Sequence, residues 1–240
     1  MEYNKSRIHQ ESRQYVKSAE YDEGLRKFML SVYNYMAAAL ALTGVVAFGV
    51  ANSPAAVQML FGTPLYWVVA LAPIGIVFYL SARVHKMSTG AAQAWFWVFA
   101  GLMGLSLASI FLVYTSASIA RVFFITAAAF GGLSLYGYTT KKDLSGFGTF
   151  LFMGVIGLLI ASVVNIFLAS SGLQFAISAA GVLIFAGLTA YDTQNIKQSY
   201  YIYGGNFGVA DKIGIMGALK LYLDFINLFI FLLQLIGDRR

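Results

Sequence analysis

The chain contains no cysteine, so disulfides, thiolate metal sites and thiol nucleophiles are excluded. Its two histidines, His9 in a polar N-terminal stretch and His85 in a short connection, are too few for a histidine-based metal centre. Charge is scarce too. Only 11% of the 240 residues are Asp, Glu, Lys or Arg, whereas a soluble domain carries about a quarter. No glutamate follows Glu23, and five of the ten carboxylates (Glu2, Glu11, Glu20, Asp22, Glu23) fall in the first 27 residues. The net charge of +6 does not point to nucleic acid, because no basic helix face interleaved with aromatics lies outside the apolar runs.

What is present is apolar. Hydrophobic residues make up 59% of the chain, and mean hydropathy is +0.73. A membrane-spanning helix needs about 20 apolar residues. The runs at 28–51, 65–82, 91–114, 118–139, 147–169, 173–191 and 213–236 therefore predict seven spans and no soluble domain. The breaks are chemically reasonable: Asn52-Ser53-Pro54, Gly62-Thr63-Pro64, Lys141-Lys142-Asp143, Ser170-Ser171-Gly172 and Tyr203-Gly204-Gly205-Asn206. The first apolar run starts near Phe28, too late and too long for a cleavable signal. Residues 1–27 read as a mobile or partly helical cytoplasmic tail, and residues 28–240 as one membrane domain. Small residues recur at Gly101, Gly104 and Ala108, at Gly154 and Gly157, at Gly181 and Gly187, and at Gly214 and Ala218. Such spacings let membrane helices approach closely, and they speak for packing only.

Loop charge predicts orientation. The tail and the loops 83–90, 140–146 and 192–212 hold twelve of the sixteen Lys and Arg, and the alternate loops hold none. The tail is expected in the cytoplasm, with odd-numbered spans running outward. Arg121 and the terminal Asp238-Arg239-Arg240 fit less well. A re-entrant last segment would return the C-terminus to the cytoplasmic side.

Charges inside the spans are costly, by about 2.5–3.5 kcal/mol each on insertion scales, and they mark function by default. Among the carboxylates, only Asp224, within LYLDFINLFIFLLQL, and Asp192, at the inner end of the sixth span in AYDTQNIK, qualify; Asp143 and Asp211 read as loop residues. Asn227 lies three residues after Asp224 on one helix face, and Lys220 four residues before it. Asn165 is the polar residue buried in the fifth span, and Arg83 ends the second. The plain reading is that Asp192 caps a helix end and Asp224 neutralises itself on Lys220. If the two aspartates instead meet in the bundle, they cannot both ionise easily and share a proton. Deprotonated, the pair suits a hard cation such as Ca²⁺; protonated, it loses that cation. The pair offers at most four of the roughly six to eight oxygens that Ca²⁺ takes, so carbonyls, water or Asn227 must supply the rest. Arg83 could close the site by pairing with the charged carboxylates.

The segments LYLDFINLFIFLL (221–233), AYDTQNIK (190–197), KKDLSGFGTFLFMGVIGLLIASVVNIF (141–167) and ARVHKMS (82–88) resemble the Bax inhibitor-1 family, in particular its bacterial YetJ-like and YccA-like branch. The resemblance covers 28–237. It implies an all-α bundle of seven transmembrane helices, with two three-helix layers around a central C-terminal helix. It also implies a pH-sensing aspartate pair at Asp192 and Asp224, and a latch arginine at Arg83. The implied activity is a pH-sensitive calcium leak, with Ca²⁺ and protons as the ions and no resident cofactor. Some bacterial relatives instead modulate a membrane-bound AAA protease, so a non-transporting regulator is the alternative. The resemblance points to a bacterial cytoplasmic membrane and to no enzyme. Intramembrane aspartyl proteases also pair two aspartates, one in a YD motif, but their GxGD motif is missing: Asp224 sits in Leu221-Tyr222-Leu223-Asp224.

Overall fold

The computed structural model describes the backbone of residues 2–203 and 207–240, and the side chains of residues 23–203 and 209–240. The chain forms α1 (Glu2–Ala51), α2 (Pro54–Phe61), α3 (Leu65–Arg83), α4 (Thr89–Val113), α5 (Ser116–Thr139), α6 (Ser145–Leu168), α7 (Ser171–Tyr203) and α8 (Phe207–Ile236), with a 3₁₀ turn at Val84–Lys86. Seven of these helices are long and apolar enough to cross a membrane. Their outward faces carry bare aromatic rings: Phe78, Phe124 and Phe150 are each 71% exposed and Phe167 83%. A surface of that kind is stable against lipid and not against water.

The bundle is two groups of three helices closed around α8. α1, α3 and α4 pack together, as do α5, α6 and α7, and α8 touches members of both groups. Half of the α8 span is buried inside the protein, against 17% for α6, which places α8 at the centre. Buried hydroxyls tie the groups to it. Thr43 of α1 donates to the Ala100 carbonyl of α4 at 2.9 Å and lies 2.7 Å from the Tyr222 hydroxyl of α8. Because the threonine proton is already used, Tyr222 is the donor in the second bond. A similar relay joins α1, α5 and α7: Tyr33 to Ser134 at 2.6 Å, Ser134 to Thr193 at 3.0 Å, and Thr193 to the Thr189 carbonyl at 2.7 Å.

Two segments depart from the sequence-based expectation. The connection 52–64 contains α2, started by Ser53, whose hydroxyl accepts from the Ala56 N–H, and by Pro54 in the first turn. More important for the site, α7 does not stop at 191 but runs to Tyr203. Hydropathy falls at Asp192 because the side chains turn polar, yet the helix continues because those side chains have partners. Gln194 donates to the Lys142 carbonyl and accepts from the Leu144 N–H, both at 2.8 Å, and Lys197 donates to the Tyr138 carbonyl at 2.8 Å. Asp192 is thus inside a helix and not at its end. Of the expected Tyr203-Gly204-Gly205-Asn206 break, the last three residues lie outside the described ones, as do the side chains of residues 1–22; the backbone of 2–22 continues α1.

α8 crosses fully. Its end is held to the α4–α5 turn: the Thr115 N–H donates to the Asp238 carbonyl at 3.1 Å, and the Arg240 N–H to the Val113 carbonyl at 2.9 Å. Arg121, the cation that fitted the charge pattern poorly, pairs with Asp238 at 2.9 Å. The C-terminus therefore lies on the face opposite the one where the α1 span begins. We call these the C-terminal and N-terminal faces.

Candidate functional site: an aspartate pair in a membrane cavity

α7 and α8 run antiparallel and carry the site between them. Ser178 meets Gln234, Gly181 meets Phe231, and Asp192 meets Lys220. The residue numbers in each pair add to the same total, so one register holds along the full contact. It brings Asp192 and Asp224 to the same cavity, of about 400 Å³, walled by Val155, Leu158, Phe185, Leu188 and Phe231 and also lined by Lys220 and Asn227.

Both carboxyl groups line this cavity, and Lys220 lines it with them. Asp224 is 4% exposed, and its Oδ2 has no hydrogen-bond partner among the described residues. A buried carboxylate oxygen left bare is costly, so this atom calls for a proton, a water or a cation. The side chain of Asp192 is 13% exposed, and its Oδ1 lies 3.7 Å from the Lys220 ammonium. Lys220, itself about half exposed, lies on the N-terminal side of Asp224 along α8. It is therefore Asp192 on α7, and not Asp224 one turn along its own helix, that sits in ion-pair range of Lys220. Asn227 donates its amide to the Leu223 carbonyl at 2.8 Å, which leaves Oδ1 as the group it can offer to the cavity.

The other residues singled out in the sequence lie elsewhere. Arg83 is exposed at the end of α3 and is not among the lining residues of the aspartate cavity. Asn165 is at the C-terminal end of α6. It accepts from the Ser170 N–H at 3.0 Å and donates to Gln174 at 3.1 Å, fixing a turn in which Ala169 takes a left-handed φ of 49°. Asp143 accepts from the Ser145 N–H at 2.9 Å, which holds its carboxyl below the usual range and keeps it ionised at neutral pH. Among the described residues no three His, Asp or Glu side chains converge on a common point.

Lys220 is what sequence reasoning undervalued. It lines the aspartate cavity and also a second one of about 740 Å³ at the N-terminal face, with His85, Asn195 and Lys212. A cue was present in its position four residues from Asp224, but the choice of Asp192 as partner depends on the register of two helices.

These features define a multi-pass α-helical membrane protein with two aspartates lining one interior cavity. The family model described as "Inhibitor of apoptosis-promoting Bax1" matches residues 25–240. The chain is 50% identical over 224 residues to the uncharacterized protein RP147 of Rickettsia prowazekii, covering 93% of this chain and 94% of that one. It is 50% identical over 228 residues to an uncharacterized protein of Caulobacter vibrioides, covering 91% of each. It is 47% identical over 223 residues to the inner membrane protein YbhL of Escherichia coli, covering 90% of this chain and 94% of that one. The chain belongs to the Bax inhibitor-1 family.

Proposed function

We propose that the protein is a pH-sensitive calcium leak pathway of a bacterial cytoplasmic membrane, with the tail cytoplasmic and Asp192 and Asp224 as the sensing and cation-binding pair. The observation that carries this reading is the shared cavity, in which a buried Asp224 oxygen has no hydrogen-bond partner among the described residues while Asp192 lies 3.7 Å from the Lys220 ammonium. Two carboxylates in a low-dielectric site share a proton more readily than they both ionise. When Asp192 is charged, it holds Lys220 at the mouth of the cavity. When acid neutralises the pair, the ammonium is released and the mouth opens. A Ca²⁺ ion passing through competes with that proton and with Lys220. The site is sparse in oxygens, so binding is weak, which suits passage more than storage.

The test is Ca²⁺ flux into proteoliposomes from about pH 6 to about pH 8. Wild type is expected to leak more at the acid end, and Asp192→Asn and Asp224→Asn to lose that dependence. Replacing both histidines (His9→Asn, His85→Asn) should leave it intact, which separates the aspartates from imidazole as the sensor. An unchanged pH profile in Asp224→Asn would rule out the pair as sensor. No flux in any protein would favour the regulator that acts on a membrane partner.

A further inference from the structure

The face of α8 that carries Asp224 continues past it. Asp224, Asn227, Phe231 and Gln234 follow at spacings of three and four, so they form one stripe along the helix. The facing stripe on α7 is Asp192, Phe185, Gly181, Ser178 and Gln174. Polar groups occupy both ends of this double stripe, and an apolar layer separates them.

At the C-terminal end, Gln234 Oε1 accepts from Ser178 at 2.8 Å and from Gln174 at 3.1 Å, and Asn165 extends the cluster from α6. Four uncharged polar side chains there face one another instead of lipid. The Phe231 and Phe185 rings stack between this cluster and the aspartates, with centroids 5.8 Å apart and planes 26° from parallel. The ring of Phe231 fills the notch at Gly181, where a β-carbon would stand 2.5 Å from it. Both rings wall the aspartate cavity, and neither Ser178 nor Gln234 does, so the cavity ends at the stack. Asp224 and Phe231 are seven residues apart, about 10 Å along the helix; Phe231 and Gln234 are about 5 Å apart.

We propose that the Phe185–Phe231 stack is the barrier of a two-station path, dividing the aspartate station from a second, uncharged polar station formed by Gln174, Ser178 and Gln234. The path rests on the reading of the aspartate pair given above, but the barrier is tested separately. An apolar constriction between two wettable sites blocks ions by excluding water. The uncharged station gives a cation leaving the aspartates somewhere to rest without trapping it, because amide and hydroxyl oxygens bind more weakly than carboxylates. The plain alternative is that the two rings are core packing.

The absence of native cysteine makes the test clean. Single cysteines at Gln234 (Gln234→Cys) and Asn227 (Asn227→Cys) are exposed to a charged, membrane-impermeant thiol reagent added at the C-terminal face. Gln234→Cys is expected to react. Asn227→Cys is expected to be protected while Phe231 is present and to react once Phe231→Gln wets the barrier, with Phe231→Leu retaining protection. Ca²⁺ flux through Phe231→Gln should rise severalfold and keep its pH dependence. Reaction of Asn227→Cys with Phe231 in place overturns the barrier. So does its protection in Phe231→Gln when Gln234→Cys still reacts, and so does an unreactive Gln234→Cys. Labelling reads water access and not transport. A protein that carries no Ca²⁺ but labels as expected refutes the calcium reading and keeps the barrier; the reverse pattern does the opposite.

Discussion

Asp224 is the residue that an apolar interior makes most expensive, and the fold does not remove that expense by neutralising it on its own helix. Lys220, four residues earlier, is in ion-pair range of Asp192 instead. The asymmetry has a consequence. Asp192 has a half-exposed ammonium 3.7 Å away, whereas Asp224 Oδ2 has no hydrogen-bond partner among the described residues. Lys220→Gln should therefore raise Ca²⁺ flux at about pH 8 toward the level wild type reaches near pH 6. Arg83→Gln, which removes the arginine that the family resemblance marks as the latch, is the comparison. If Arg83→Gln gives the alkaline leak and Lys220→Gln does not, the latch is Arg83 and the protein passes through an arrangement other than this one. That Asp192 and Asp224 carry charge into the bundle was legible in the sequence, because almost no other charge survives between the loops. The partner of each was not. Asn165 was noticed for the right reason, burial, yet it serves the α6–α7 turn and the polar cluster at the C-terminal face.

Among the elements, α7 shows why hydropathy mislocates a helix end. It senses where lipid stops, and α7 runs twelve residues past the expected limit because protein groups take up its polar side chains. Small residues were legible in part. Gly104 lies against Thr43 and Val46 of α1, and Gly154 against Ile184 of α7, but Gly101 and Gly157 have nothing within 4 Å of an added β-carbon. The tightest backbone approach is at Gly137, which abuts the Ala190 backbone, a β-carbon there falling 2.9 Å from the Ala190 Cα. No spacing motif marked it, because its partner is remote in sequence. The Thr43–Tyr222 bond is a second cross-element feature of this kind. Thr43→Val leaves a buried tyrosine hydroxyl unpaired and should cost about 1–3 kcal/mol. Combining it with Tyr222→Phe should cost less than the two single changes together, as for any coupled pair. Chemical unfolding in detergent measures the cycle; strict additivity would mean that the bond does not join α1 to α8.

At the scale of the whole molecule, seven crossings put the two termini on opposite faces. The chain's charge count left this open, since three charged residues end it. The structure shows how they are accommodated. Asp238 takes the stray Arg121, and Arg239 lies over the Tyr114 ring with 5.9 Å between the guanidinium and the centroid. A phosphatase reporter that is active only outside the cytoplasm should work when fused after Arg240 and fail when fused before Met1; equal activity of the two fusions would contradict a full crossing by α8. The seven-helix count and the central place of the last helix were readable from apolar run lengths and from the family resemblance. The alignment of α7 with α8 was not, and it is this register that assembles the aspartate cavity, the ring stack and the second polar cluster into one column.

If Asp192 and Asp224 act as one titrating unit in the bilayer, they take up a proton together on acidification. An infrared difference spectrum of the reconstituted protein between about pH 8 and about pH 6 reads this directly, because a protonated buried carboxyl has its own carbonyl band. The account predicts that this band appears on acidification in the wild type and is lost in both Asp192→Asn and Asp224→Asn. A band that persists unchanged in Asp224→Asn would contradict it.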